Sequence, residues 1–140
     1  MYDVAIIGAG PAGGSAAIFT AKAGKKTVIL DSDQGVTKRA MLYNHYGVKE
    51  ITGPELVKTG IEQAKNYGAE LIEAKVTGIS KTDKGFKLQY ENGEVEAKHI
   101  ILATGFLTDL AESVGLATKP GTEPRVKTIF DVDNEGRTNV

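Results

Sequence analysis

Gly8-Ala9-Gly10-Pro11-Ala12-Gly13 follows directly on the apolar run Val4-Ala5-Ile6-Ile7, and Asp31 lies eighteen residues beyond Gly13. A Gly-x-Gly-x-x-Gly spacing between a strand and a helix binds a diphosphate with main chain alone. Gly8 permits the tight turn, Gly10 lets backbone approach the phosphates with no Cβ in the way, and Gly13 lets helix and strand pack closely. The first helical turn, Pro11 to Gly13, then offers N–H groups at the positive end of the helix dipole. Asp31 ends the next strand, where a carboxylate accepts hydrogen bonds from an adenosine ribose. Its negative charge opposes a 2′-phosphate, which disfavours NADP at this position.

No other residues form an acid–base pair or an activated nucleophile, so no catalytic side chain is assigned. Asp109, Glu112 and the Lys38-Arg39 pair read as solvated surface charge. His45 reads as a loop histidine and His99 as a strand-edge one. The chain has no cysteine, which removes disulfide frameworks, thiolate metal sites and any internal dithiol cycle. No metal site is expected.

The elements that must hold the loop and the acid are legible in the pattern. Val4 to Ile7 and Thr27 to Leu30 are continuous apolar runs, as in parallel strands covered on both faces. Between them Pro11 suits a first helical turn, and Gly24 ends the helix that runs from about Ala12. Strand, helix and strand make a βαβ unit. Residues 33 to 51 read mostly as loop or broken helix. A second amphipathic helix follows, with Thr52 as cap, Glu55 three residues on, Pro54 in the first turn and Gly68 past the end. Val57, Ile61 and Ala64 share its apolar face.

From about 70 to 98 the period changes to two: Ile72, Ala74 and Val76, then Phe86, Leu88 and Tyr90, then Val95 and Ala97. With Asn92-Gly93 as a hairpin turn, this predicts a small antiparallel three-stranded meander. Ile100 to Ala103 reads as another covered strand, ending in a turn at Gly105. Thr108 would cap a short helix, and "VKTIFDVD" would be one more strand. The expected fold class is α/β, a Rossmann-like parallel sheet with a βαβ unit and the meander, in a single domain spanning 1–140.

At 140 residues the chain supports one core of ordinary size. A net charge of −1, from 17 basic and 18 acidic residues, gives no bulk attraction to nucleic acid or an anionic membrane. The apolar stretches fall short of the roughly twenty residues that span a bilayer. With no basic leader at the start, a cytoplasmic protein is expected.

The segments "DVAIIGAGPAG", "ITGPEL", "EQAKNYGAE" and "HIILATG", in this order and at these separations, resemble the FAD-binding half of the thioredoxin-reductase-like flavoproteins. The resemblance covers roughly residues 1 to 110. It implies an FAD diphosphate at Gly8, Gly10, Ala12 and Gly13, with Pro11 in the same turn. It implies the AMP ribose at Asp31, the adenine edge at the backbone of Val76, and the Ala103-Thr104-Gly105 turn beside the cofactor. Asn44 stands where relatives have an Asn-Tyr-Pro-Gly segment near the flavin. In the family a nicotinamide-binding domain and often a Cys-x-x-Cys pair follow the "ATG" turn; neither occurs in this sequence. "TIFDVDNEGRTNV" resembles the last stretch before the family's Gly-Asp motif, so the C-terminal end of the FAD domain is expected to be missing.

Three readings stay open on these residues. The first is an FAD-dependent oxidoreductase domain that takes hydride from NADH or NADPH and passes electrons to an external acceptor, with a redox protein as partner. The second is an NAD-binding enzyme or redox sensor. The third is a non-catalytic nucleotide- or FAD-binding protein, as a homodimer.

Overall fold

The computed structural model describes all 140 residues, Met1–Val140. Strand β1 (Tyr2–Ile7) leads into helix α1 (Pro11–Lys22), which returns the chain to β2 (Thr27–Asp31), parallel to β1 with Ile7 opposite Leu30. Gly24, at φ +77°, turns the chain out of the helix. The predicted βαβ unit is therefore present. A short 3-10 turn, Val36–Arg39, and a two-residue ladder of β3 (Met41–Leu42) with β4 (Ile51–Thr52) organise the segment expected to be loop. Helix α2 (Gly53–Asn66) begins where the sequence places it, with the Glu55 N–H donating to Thr52 Oγ1 at 3.3 Å.

Beyond α2 come β5 (Glu70–Glu73), β6 (Val76–Thr82), β7 (Gly85–Tyr90) and β8 (Gly93–Leu102). The main sheet has six strands in the order β5-β2-β1-β8-β7-β6. Its β5, β2, β1 and β8 pair in parallel, while β8, β7 and β6 pair antiparallel. The Rossmann-like sheet with an attached meander is as expected, but two boundaries differ. Glu70–Glu73 does not belong to the meander: it is the parallel edge strand beside β2, with Asp31 opposite Glu73. Val95-Ala97 and Ile100-Leu102 are not separate strands; one ten-residue strand, β8, contributes its first half to the meander and its second half to the parallel sheet. Ala97 is the junction, paired with Phe86 on one side and Tyr2 on the other.

Alternation along β1 divides the core between the two faces of the sheet. Val4 and Ile6 point to the helices and pack with Ala17, Ala21, Ile29 and Ala64. Ala5 and Ile7 point the other way, against Val28, Leu30, Val76, Leu88 and Ala97, so the meander covers the second face. Full burial of Ile6 and Ile29 contributes about 1.5–3 kcal/mol each. The helix side is thin because the buried residues of α1 are Gly13, Gly14, Ala17 and Ala21, with Ala16 and Ile18 packed beside them. Small side chains bring its axis, and with it its N-terminus, close to the sheet.

After β8 the chain forms one helical turn, α3 (Asp109–Glu112), and a separate hairpin of β9 (Thr118–Pro120) with β10 (Thr128–Phe130). The strand expected in "VKTIFDVD" is this β10, outside the main sheet. Thr108 precedes α3 but makes no side-chain cap; its buried hydroxyl bonds Glu112 Oε2 at 3.3 Å and Thr128 Oγ1 at 2.9 Å. Those bonds tie the turn to the hairpin instead. No helix is long and apolar enough to cross a membrane.

At the β5 edge the Tyr2 hydroxyl donates to Glu70 Oε2. This bond, helped by partial burial and the carboxylate's charge, pushes the phenol from its ordinary 10.0 up to about 12. A group whose pKa is raised by folding lends stability that is complete below its unfolded pKa and vanishes as pH climbs through the folded one. Tyr2→Phe should therefore be less stable than wild type by up to about 1 kcal/mol at neutral pH. The gap should close between pH 10 and about 12, read from urea unfolding at a series of alkaline pH values. A second expectation concerns Gly53, where a Cβ would overlap the Thr37 carbonyl of the 3-10 turn. Gly53→Ala should cost about 1–3 kcal/mol in the same assay, since backbone rather than a mobile side chain must move.

Candidate functional site

The loop between β1 and α1 is built from two contacts that exclude side chains. Gly8 has φ +105°, and a Cβ there would overlap the carbonyl of Ala103. A Cβ on Gly13 would overlap the carbonyl of Gly8, at the start of the same loop. Two hydrogen bonds fix the frame: Gly8 N–H donates to Leu30 O and Ala103 N–H to Ile7 O, each at 2.9 Å. The glycine loop, the end of β2 and the Ala103 turn thus meet at the carboxyl edge of the parallel strands, the place where such sheets bind ligands.

Gly10 differs from its two neighbours. It is the N-cap residue of α1 in an extended conformation, and nothing lies within 4 Å of where its Cβ would be. No side chain caps the helix and no acidic residue stands in its first turn. The N–H groups of Ala12 and Gly13 belong to that first turn, where an α-helix provides no internal acceptor. An open space faces uncapped amides at the positive end of a dipole, which suits an anion.

Asp31 turns toward this loop. Ala9 N–H donates to its Oδ1 at 3.1 Å and Asp33 N–H to its Oδ2 at 3.3 Å. Its side chain keeps 14% of its surface exposed. The acid and the loop are therefore one unit, as the spacing implies. Lys38, read from sequence as surface charge, instead reaches into this unit: its ammonium contacts Asp33 and lies 3.6 Å from Asp31 Oδ2. The contact depends on the 3-10 turn, which carries no sequence signature of its own.

The other predicted residues fall around the same edge. Ala103 packs on Gly8, and beyond it Thr104 Oγ1 donates to Leu107 O at 2.6 Å while Gly105 takes φ +68°. Val76 starts β6 with its side chain in the core, three residues after Glu73, the partner of Asp31 across β2 and β5. Asn44 is exposed on the loop between β3 and β4. Its neighbour His45, read as a bland loop residue, lines a cleft of about 100 Å³ together with Gly10, Pro11, Ser15 and Gln63. Only the packing of α2 beside α1 brings it there. A larger hollow, about 700 Å³, lies elsewhere between the second half of β8 and the C-terminal residues; it is lined mainly by apolar groups such as Ile100, Leu102 and Phe130, and His99 borders it. It contains none of the loop or acid residues.

Residues 2–139 match the family described as pyridine nucleotide-disulphide oxidoreductase. The thioredoxin reductase of Aquifex aeolicus (strain VF5) is 44% identical over 112 residues, covering 75% of this chain and 34% of its own length. That of Peptoclostridium acidaminophilum is 37% identical over 119 residues, 82% of this chain and 38% of its own length. Among solved structures, the atypical thioredoxin reductase TRi from Desulfovibrio vulgaris Hildenborough superposes with a TM-score of 0.70 at 35% identity, over 96% of this chain and 40% of its own. The chain spans 34–38% of the length of the curated thioredoxin reductases it matches. A match over almost every residue, with the glycine loop and its acid in place, means that the chain belongs to the pyridine nucleotide-disulphide oxidoreductase family, as a thioredoxin-reductase-like member.

Proposed function

We propose that this chain is an FAD-binding oxidoreductase domain, with the dinucleotide's adenosine diphosphate half held at the β1–α1 loop and Asp31. One observation carries the reading: the Asp31 carboxylate is hydrogen bonded to Ala9 N–H while the space above Gly10 is open and the start of α1 is uncapped. Donors for a diphosphate and an acceptor for a ribose are thus held side by side by main-chain geometry. The residues fit such a cofactor without needing a lysine for the phosphates.

In this reading Gly8 and Gly13 shape the loop, Gly10 admits the diphosphate, and Ala12 and Gly13 N–H groups bind it. Asp31 accepts from the ribose hydroxyls, and the backbone at Val76 borders the adenine. Ala103 to Gly105, with Asn44 and His45, border the remainder of the cofactor. Bound FAD would supply the redox chemistry, taking hydride from NADH or NADPH and releasing electrons to an external acceptor. The protein's share is binding, orientation and access. Because these 140 residues contain no cysteine, a dithiol acceptor must lie outside them, as on a redox partner protein. The way β8 runs from the meander into the Ala103 turn supports FAD over a simple NAD domain.

Purified protein tests the assignment directly. It should carry, or take up on mixing, the visible absorption of oxidised flavin, and NADH or NADPH should bleach it. Tight NAD binding by protein that takes up no flavin would overturn the FAD reading.

Two variants separate binding from folding. Gly10→Val adds a side chain where no atom lies within 4 Å, so its melting temperature should stay near that of wild type. Its affinity for ADP, by calorimetry, should fall on the order of a hundredfold, about 2.7 kcal/mol. Asp31→Asn keeps an acceptor for Ala9 N–H but removes the charge. It should weaken ADP on the order of tenfold, the scale of one charge-assisted hydrogen bond.

A further inference from the structure

The carboxylate of Asp31 has about four acceptor directions, two on each oxygen. Ala9 N–H occupies one on Oδ1 and Asp33 N–H one on Oδ2. Lys38 Nζ stands 3.6 Å from Oδ2, beyond the range of a hydrogen bond, because its direct partner is Asp33. One direction therefore remains free on each oxygen. Two free acceptors on one carboxylate match two adjacent hydroxyls on one ribose.

Lys38 is placed to preserve that arrangement. It sits on the 3-10 turn Val36–Arg39, which is locked against the start of α2: Gly53 N–H donates to Ala40 O at 2.8 Å, and Gly53 leaves no room for a Cβ beside Thr37 O. Its ammonium grips Asp33, a non-glycine residue held at φ +62°, whose N–H in turn bonds Asp31. Lys38, Asp33 and Asp31 thus form a relay from α2 to the proposed ribose contact. The attraction between the ammonium and Oδ2 holds the carboxylate turned without filling an acceptor site.

Resting on the proposed adenosine site, we propose that Lys38 is a positioning residue for ribose recognition, acting through Asp33 and Asp31 to keep both carboxylate oxygens available to a vicinal diol. The alternative assignment, a solvated surface lysine, leaves the ribose preference independent of it.

Calorimetric titration with ADP and with 2′-deoxy-ADP tests this, using wild type, Lys38→Met, Lys38→Arg and Asp31→Asn. Wild type should favour ADP by roughly tenfold, one charge-assisted hydrogen bond. Lys38→Met should bring that ratio close to one while holding 2′-deoxy-ADP affinity within about twofold, and Lys38→Arg should restore it, because a guanidinium paired with Asp33 keeps a permanent positive charge beside Oδ2. An unchanged ratio in Lys38→Met, or an equal loss of both nucleotides, would overturn the role of Lys38. Asp31→Asn keeps the two failures apart. If it abolishes the preference and Lys38→Met does not, only the positioning role is lost; if it leaves the preference intact, the ribose assignment itself is wrong.

Discussion

Where two stretches of backbone touch without a Cβ between them, neither can move without the other. The carboxyl edge of this sheet is organised by that constraint. Gly8 lies on the Ala103 carbonyl and Gly13 on the Gly8 carbonyl, so the end of β8, the turn after β1 and the first turn of α1 form one rigid stack. The small inward face of α1 is required by the same contact. A leucine at Ala17 or Ala21 would lift the helix from β1 and open the stack that aims its N-terminus. Packing on one side of the helix thereby sets electrostatics at its end.

The β8 strand joins this stack to the meander. Because Ala97 pairs with both Phe86 and Tyr2, the meander cannot slip without dragging the Ala103 turn into which the same strand runs. The meander also covers Ala5, Ile7, Val28 and Leu30, the face that the helices leave open. One ten-residue strand thus serves the core and the site together.

What the sequence discloses and what it hides follow from how far apart the interacting residues are. The glycine loop, Pro11, the Thr52 cap and Asp31 are local signals, each dictated by the backbone a few residues away, and they are read without difficulty. The two strand boundaries that differ have physical sources. As an edge strand of a parallel sheet, Glu70–Glu73 is half-buried in its middle, at Leu71 and Ile72, and exposed at its ends, so its polar ends imitate the alternation of an antiparallel strand. In β8 the exposed pair Lys98 and His99 interrupts the apolar pattern and looks like a break between strands. Nothing local marks Lys38 and His45. Their positions depend on α2 packing beside α1 and on Gly53 meeting Thr37, contacts between segments distant in sequence.

The charge balance at this edge explains why an acid can stand next to an anion site. A helix N-terminus carries the equivalent of about half a positive charge, less than the full negative charge of one carboxylate. Asp31 alone would therefore cancel the attraction that α1 offers to a diphosphate. Its charge is met instead by the N–H group of Ala9 in the loop and, at the β2 end, by the N–H group of Asp33 and the Lys38 ammonium. With its charge met in this way, Asp31 leaves the N–H groups of Ala12 and Gly13 to the helix dipole. The chain needs no excess of basic residues for this, in keeping with its net charge of −1, because the positive potential is supplied by oriented peptide groups over a few ångströms.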